Sequence, residues 1–157
     1  MKTGVITDGI SRDFEHALNV MDEFGLQFAE LQFVWDKEVG FLEDAKVQKV
    51  NELLDLHQIK VSNICHHIFA GMPMTTKPGE PLHIQHLDRL KRCMEIAHAV
   101  GSPNVRILSP KKEQILFGAH GAEKWNVAKG AWDALLPIIA PALEIAKDAG
   151  KQLVVET

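Results

Sequence analysis

Short apolar runs alternate along the chain with longer segments in which apolar residues recur at helical spacing. The apolar runs predict five buried strands, at residues 4–8, 28–33, 60–65, 104–108 and 152–157. The helical spacing predicts four helical regions between them, at about 14–24, 43–57, 82–100 and 125–149. Strict alternation of strand and helix predicts a parallel sheet with right-handed crossover connections.

The predicted joints differ in length on the two ends of this sheet. Helix-to-strand joints are as short as Gly25-Leu26 and Gly150-Lys151, whereas the strand-to-helix segments 68–81 and 109–124 are long. All strand-to-helix joints of a parallel sheet lie at the carboxyl ends of its strands. The long loops therefore predict that the carboxyl ends form the functional face.

Two architectures accommodate five such strands: an open flavodoxin-type sheet and part of a (β/α)8 barrel. An open sheet normally ends in a helix that covers the final strand, and no helix follows Thr157 in this sequence. The segment after the first strand, Thr7-Asp8-Gly9-Ile10-Ser11, is not a glycine-rich phosphate loop. A complete barrel needs about 250 residues. We therefore expect residues 1–157 to be a single domain, the N-terminal part of a barrel that ends at strand five.

Composition and charge weigh against several classes of protein. The net charge is −4, without the basic stripe that nucleic-acid binding requires. The most apolar stretch, 134–143, contains Pro137 and Pro141 and is shorter than the roughly 20 residues of a membrane span. Cys65 and Cys93 are isolated, and the N-terminal residues lack a signal-peptide pattern. We predict a cytoplasmic protein that binds neither nucleic acid nor membrane.

Polar side chains gather at the predicted carboxyl ends of the strands, where carboxylates and imidazoles suit a divalent metal or acid–base chemistry. A carboxylate on a buried strand is costly unless it is paired or coordinates something. Glu156 occupies such a position, which makes it the leading candidate for catalysis and metal binding. The candidates for substrate binding are His66, His67, Glu30 and Arg106, together with the loop aromatics Trp35 and Phe69 as pocket walls.

Several of these candidates also have a purely structural interpretation. Asp8, which ends the first strand, can cap a turn. Glu30 and Arg106 can form an ion pair with each other inside the sheet. One of His66 and His67 is expected to point away from the site, because neighbours on a strand face opposite sides. The sequence leaves these alternatives open.

Other reactive residues favour a structural interpretation. His83 and His86 lie one helical turn apart and could bind a metal, but they are more typical of a solvated helix face. Cys65 precedes His66 in sequence, yet a buried strand cysteine is usually inert. His120 and Phe117 lie in a glycine-containing loop, where either could contact a ligand.

The ordered series of strand sequences resembles that of the sugar phosphate isomerase/epimerase family, within the xylose isomerase-like barrel superfamily. The resemblance covers the whole chain and has no single diagnostic motif. It is carried by Phe-Ala-Glu-Leu at 28–31, Lys-Val-Ser-Asn-Ile at 60–64 followed by His66 and His67, Asn-Val-Arg-Ile at 104–107, and Ala-Lys-Asp-Ala-Gly-Lys-Gln-Leu-Val-Val-Glu at 146–156.

This resemblance implies an α/β fold: an incomplete, N-terminal portion of a xylose isomerase-like TIM barrel with about five strands and four helical regions. It implies a metal-dependent isomerase or epimerase that converts a small sugar, sugar phosphate or hydroxy-keto acid through an enediolate. Glu156 matches the metal-ligating glutamate at the end of the family's fifth strand. The implied cofactor is Mn²⁺, Mg²⁺, Co²⁺ or Zn²⁺, whose remaining ligands lie on strands absent from this chain. His66 or His67 matches a histidine that is common after the family's third strand, and either would hydrogen-bond a substrate hydroxyl.

Three other interpretations remain open. An inactive half-barrel would expose sheet edges at its first and fifth strands and would self-associate, which predicts a homo-oligomer. An abasic-DNA nuclease of the endonuclease IV branch is disfavoured, because Ser109 and Pro110 stand where that branch has a histidine. A flavodoxin-like binding module would be recognised by a bound flavin.

Overall fold

The computed structural model describes residues 3–110 and 131–156, and all structural statements below concern these residues. Its α-helices are α1 (Phe14–Glu23), α2 (Asp44–Leu56), α3 (Pro81–Ala99) and α4 (Ala131–Asp148). Its strands are β1 (Gly4–Ile6), β2 (Phe28–Leu31), β3 (Phe33–Val34), β4 (Lys37–Glu38), β5 (Lys60–Ile64), β6 (Asn104–Leu108) and β7 (Gln152–Glu156). The predicted strands and helical regions are therefore all present in this part of the chain.

Five of the strands form one parallel sheet in the order β1-β2-β5-β6-β7. Their order in space follows their order along the chain, so the sheet contains no point at which the strand order reverses. A flavodoxin-type sheet has such a reversal, with helices on both faces. Consecutive parallel strands with right-handed crossovers place the connecting helices on one face, which is the arrangement of a barrel wall.

The core lies between this sheet and the helices. Helix α1 begins where the Asp13 carboxylate accepts a hydrogen bond from the His16 N–H, which satisfies one of the free amides of its first turn. The apolar residues on its inner face are buried: Phe14, Ala17, Leu18 and Met21. The largest buried side chains of the core are Phe14, Leu18, Met21, Leu31, Ile64, Ile68, Phe69, Met72, Leu90, Ile96, Ile107 and Ile138.

The two prolines in the last predicted helical region could kink or split it. Helix α4 continues past Pro137 and Pro141 as one element, so they do not split it. Each proline removes one backbone hydrogen bond. Burial of Ile138, Ala142 and Ala146 against the core stabilises the helix in spite of that loss. The predicted start of this helix near residue 125 lies outside the described residues. None of the helices in the described part of the chain is long and apolar enough to cross a bilayer.

A small antiparallel hairpin, β3–β4, lies between the second strand of the sheet and helix α2, where the sequence predicts no regular element beyond residue 33. Its two turn residues, Trp35 and Asp36, have φ angles of 47° and 64°. Positive φ at both positions gives the twist that a two-residue hairpin needs. This turn normally contains glycine or asparagine, so the sequence lacked the usual signal. The hairpin brings Glu38 to the carboxyl end of the sheet.

Candidate functional site

The polar residues at the carboxyl ends of the strands fall into two groups. The first, called here the histidine cluster, consists of Gln32, Glu38, His66 and His67. The second, called here the arginine cluster, consists of Glu30, Cys65, Arg106 and Glu156.

A single carboxylate oxygen organises the histidine cluster. Glu38 Oε1 accepts a hydrogen bond from the His67 backbone N–H at 2.7 Å and lies 2.6 Å from His67 Nδ1. The same oxygen lies 3.1 Å from His66 Nδ1. The Glu38 side chain is only 14% exposed. Glu38 is therefore the residue around which both histidines are arranged.

The expectation that one of the two histidines points away from the site is wrong. Strand β5 ends at Ile64, so His66 and His67 follow the strand and the alternation of side chains does not apply to them. Both Nδ1 atoms face Glu38. They differ in exposure, because the His66 side chain is 5% exposed and that of His67 is 40% exposed. His67 is therefore the histidine that a ligand can reach.

His66 is held as a neutral imidazole. Its Nδ1 accepts a hydrogen bond from the Gly40 backbone N–H at 3.3 Å, and the Phe41 ring meets the imidazole edge-on at 5.3 Å. Burial lowers the pKa of His66 from 6.5 to about 4, although the Glu38 carboxylate partly opposes this shift. At neutral pH the side chain is uncharged.

We expect this buried histidine to make the stability of the protein depend on pH. The unfolded chain binds a proton on His66 more readily than the folded one, so stability should fall as the pH is lowered from 6.5 to 4. The slope contributed by one such group reaches about 1.4 kcal/mol per pH unit. Urea denaturation at several pH values measures it. A His66→Gln variant should show a flatter curve over this range, and an unchanged slope would contradict the assignment.

The arginine cluster is built on neighbouring strands. Arg106 Nη1 lies 2.5 Å from Glu156 Oε2, and Arg106 Nη2 donates to the Cys65 carbonyl oxygen at 3.1 Å. The Arg106 side chain is 8% exposed and that of Glu156 is 59% exposed. The alternative in which Arg106 pairs with Glu30 is therefore wrong, because Leu108 and Glu156 are register partners and place Glu156 beside the guanidinium. The exposed Glu156 carboxylate is therefore paired with a buried guanidinium.

Glu30 and Cys65 form the other contact of this cluster. The Cys65 thiol donates to Glu30 Oε2 at 3.3 Å. Burial raises the pKa of Cys65 far above its ordinary value; the nearby Arg106 charge opposes this shift and Glu30 adds to it. The thiol is therefore protonated at neutral pH, which agrees with the interpretation of Cys65 as an inert residue.

Trp35 and Asp8 both make contacts with neighbouring residues of the fold. The Trp35 ring meets Phe14 edge-on at 5.6 Å, and the ammonium groups of Lys46 and Lys49 lie 4.8 and 5.3 Å from its centre. Asp8 Oδ1 accepts the backbone N–H of Phe33, which supports a local role for it at the start of β3. The role of Trp35 as a pocket wall stays a prediction.

Phe69, His83 and His86 pack together beneath the loop that follows β5. Phe69 is fully buried, its ring stacked on His83 at 6.0 Å, and its N–H donates to His86 Nδ1 at 3.0 Å. His83 Nδ1 accepts the Gly79 N–H, and its Nε2 lies 2.9 Å from the Ile138 carbonyl oxygen. The prediction that these histidines form a solvated helix face is wrong, because this face of α3 packs against α4. The substrate-binding role of Phe69 stays a prediction, while His120 and Phe117 lie outside the described residues.

Sequence reasoning missed Glu38 and Gly40. The available signal was weak: the strand residues Phe33 and Val34 precede Trp35-Asp36, but the charged residues Lys37 and Glu38 follow it. Gly40 lies where the backbone of the turn Val39–Phe41 approaches the histidine cluster closely. A methyl group added there would lie 2.9 Å from His66 Nδ1 and 3.0 Å from Cys93 Sγ.

We therefore expect Gly40→Ala to destabilise the fold by about 1–3 kcal/mol, the usual cost of overpacking. The measurement is the free energy of unfolding in urea. Gly9→Ala is the matched control, because a methyl group at Gly9 meets no atom within 4 Å. Equal stability of the two variants would show that the space around Gly40 is not restrictive.

The described residues do not by themselves complete a metal site. Within 3–110 and 131–156, no group of three or more His, Cys, Asp or Glu side chains is arranged to hold a metal ion. The carboxylate of Glu156, the predicted ligand, is paired with Arg106. A metal at this face would need ligands beyond those described.

A family model for the xylose isomerase-like TIM barrel matches residues 18–157. A sugar phosphate isomerase/epimerase from Parabacteroides distasonis ATCC 8503 aligns with a TM-score of 0.61 and 17% identity, over 98% of this chain and 50% of that chain. The IOLI protein with a bound zinc atom aligns with a TM-score of 0.65 and 20% identity, over 99% and 51%.

A D-allulose 3-epimerase from Methylomonas sp., in complex with D-allulose, aligns with a TM-score of 0.60 and 12% identity, over 90% of this chain and 44% of that chain. No curated protein matches the sequence. The chain spans about half the length of these solved structures. At these identities the solved structures establish the fold, which confirms the predicted partial barrel. Since the family model covers most of its length, the chain belongs to the xylose isomerase-like TIM barrel family.

Proposed function

We propose that the chain forms part of a sugar isomerase or epimerase that moves a proton between adjacent carbons of a small sugar, sugar phosphate or hydroxy-keto acid, through an enediolate. One observation carries the proposal: the Glu156 carboxylate stands exposed at the carboxyl end of β7, on a buried arginine. Family membership and the neighbouring isomerases and epimerases support it.

Glu156 is the proposed proton carrier. Its side chain is more than half exposed, so a substrate carbon could approach the oxygen not bound to Arg106. The Arg106 guanidinium lies 2.5 Å from Oε2, and this charge-assisted contact orients the carboxylate. In isomerisation the carboxylate would remove the proton from the carbon beside the substrate carbonyl and return it to the neighbouring carbon on the same face. In epimerisation a second acid, a partner glutamate outside the described residues, would deliver a proton to the opposite face.

His67 is the proposed contact to a substrate hydroxyl. Its ring is 40% exposed, with Nδ1 against Glu38 and Nε2 beside the Gln32 amide. Glu30, His66, Trp35 and Phe69 are buried or covered to different degrees, and their predicted substrate contacts remain part of the proposal. Among the predicted substrate-binding residues, His67 has the clearest access.

A divalent cation (Mn²⁺, Mg²⁺, Co²⁺ or Zn²⁺) is also part of the proposal, since one of the neighbouring folds was crystallised with zinc. Bound near the carbonyl, such an ion would polarise it and stabilise the enediolate. Glu156 would supply one ligand. The described residues provide no complete set, so the steps assigned here belong to the side chains of this chain.

The proposed partner is a small carbohydrate, with neither nucleic acid nor membrane as a ligand. The two cysteines are free and buried, as is usual in a reducing compartment, and a cytoplasmic location is proposed on that basis. Strand β7 is the last strand of the described sheet, and pairing of this edge with a second copy is part of the proposal, as a homo-oligomer.

Proton exchange tests the proposed function. The protein that contains this chain together with the rest of the barrel is purified and incubated in D₂O with a ketohexose, a ketose phosphate or a hydroxy-keto acid, with each of the four cations in turn. We expect deuterium to appear at the carbon beside the carbonyl for at least one substrate class, and a chelator to suppress the exchange. Absence of exchange with every class and every cation would refute the proposal.

A further inference from the structure

We propose that Glu38 is a positioning residue that fixes His67 in the tautomer with its proton on Nδ1, so that Nε2 presents a lone pair to a substrate hydroxyl. The identity of the ligand rests on the proposed function. The tautomer rests on the geometry of the histidine cluster alone.

The contacts of Nδ1 require it to carry the proton. Its neighbour at 2.6 Å is Glu38 Oε1, and an ionised carboxylate only accepts hydrogen bonds. The same oxygen accepts the backbone N–H of His67 at 2.7 Å, which holds the residue at both its backbone and its ring. Charge-assisted hydrogen bonds of this kind are about twice as strong as neutral ones. The imidazole is therefore held with Nδ1–H directed inward.

The contact at the other ring nitrogen is consistent with this tautomer. His67 Nε2 lies 3.1 Å from Gln32 Nε2, and an amide nitrogen only donates hydrogen bonds. Nε2 must then be the acceptor. The Gln32 amide thus occupies the position that a donating hydroxyl group of a sugar would take. Because the ring is 40% exposed, such a hydroxyl could displace the amide or bind beside it.

The hairpin that carries the Glu38 carboxylate is held in place by backbone hydrogen bonds. Glu38 pairs with Phe33 across the hairpin β3–β4, and the Val39 N–H donates to the Gln32 carbonyl oxygen at 2.8 Å. The turn is tied to the chain before α1 by the Trp35 N–H, which donates to the Arg12 carbonyl oxygen at 3.0 Å. A side chain held in this way loses little conformational freedom when it orients a neighbour. This is the role expected of a positioning residue.

Two other histidines provide internal references of the opposite tautomer. His83 Nδ1 accepts the Gly79 N–H, and His86 Nδ1 accepts the Phe69 N–H. An accepting Nδ1 leaves the proton of a neutral imidazole on Nε2. His67 should therefore differ from both within the same sample.

The experiment is ¹⁵N NMR of the histidine rings in the full 157-residue chain at neutral pH. We expect a protonated Nδ1 for His67 and a protonated Nε2 for His83 and His86. Glu38→Leu should lower the ratio of Nδ1–H to Nε2–H forms in His67 by about ten-fold or more, the effect of losing a charge-assisted hydrogen bond. Glu43→Leu, at a carboxylate that is 78% exposed, should leave the ratio unchanged.

A proton on Nε2 of His67 in the unaltered chain, or the same ratio after Glu38→Leu, would overturn the proposal. If Glu38→Leu does not fold, Glu38→Gln replaces it. That variant keeps an acceptor oxygen without the charge, so the ratio should fall in the same direction by a smaller factor, and an unchanged ratio would count against Glu38.

A sugar titration separates this inference from the proposed function. D-Fructose serves as the probe, and the readout is the ¹⁵N shift of His67 Nε2. We expect fructose to shift the Nε2 resonance of the unaltered chain, and the affinity derived from this titration to fall by about ten-fold in Glu38→Leu. That result supports both the positioning by Glu38 and the proposed function. The expected tautomer without proton exchange for any substrate class refutes the function and leaves the positioning by Glu38 in place. Proton exchange with His67 protonated on Nε2 refutes the positioning and leaves the function in place.

Discussion

Replacing Glu156 with glutamine should lower kcat for isomerisation by about 10²–10⁴-fold, the usual contribution of a positioned general base, with KM changed by no more than about three-fold. The amide keeps the shape of the side chain and cannot accept the substrate proton. The Arg106 guanidinium is only 8% exposed and loses its anionic partner, so the variant should be less stable. The amide oxygen can still accept a hydrogen bond from Arg106, so we expect the fold to persist. The measurement is steady-state kinetics on the substrate class that shows proton exchange.

The control for this variant is Glu144→Gln, at an exposed carboxylate of α4 whose ion pair with Lys147 spans 3.8 Å. It should retain activity within about two-fold, since exposed pairs of this kind contribute little. The circular dichroism spectra of both variants should match that of the unaltered protein. If Glu156→Gln kept nearly full kcat, the residue would have only a structural role beside Arg106.

Phe69→Ala should reduce the free energy of unfolding by about 3–5 kcal/mol, as expected for truncating a fully buried aromatic ring. Phe69 is completely buried, and its ring lies parallel to that of His83, with an interplanar angle of 8°. The ring of His86 packs on it at 5.7 Å. Removing the ring leaves a cavity between the loop after β5 and helix α3. Denaturation in urea measures the loss.

The matched control is Phe24→Ala, because Phe24 is 76% exposed and the same atoms are removed. Its stability should stay within about 0.5 kcal/mol of the unaltered protein. Phe69→Leu, which retains most of the volume, should cost about 1.5 kcal/mol or less. If Phe69→Ala kept the stability of Phe24→Ala and instead raised KM, Phe69 would be a pocket wall, as the sequence suggested.

The sequence predicted the architecture well because the relevant signals are local. Helical periodicity locates α1 to α4, and short apolar runs locate the strands of the parallel sheet. Alternation of strands and helices then limits the topology to parallel crossovers. Glu156 was recognised because a carboxylate at the end of a buried strand is costly without a partner, and the structure supplies that partner as Arg106.

The partners of these residues could not be predicted. The sequence suggested Glu30 as the partner of Arg106, whereas the register of β6 and β7 places Glu156 there. His83 and His86 resembled a solvated face, because periodicity does not show that α4 packs on that side of α3. The two adjacent histidines resembled strand residues with opposite directions, but β5 ends before them.

The sequence by itself determined the family and the order of strands and helices, and it located the carboxylate at the end of the last described strand. These properties follow from patterns within about 20 residues of one another. Only the tertiary structure decided that Glu38 lies against His66 and His67. A hairpin without a glycine turn carries this carboxylate to residues about 30 positions away, and contacts between such distant residues depend on packing that periodicity does not encode.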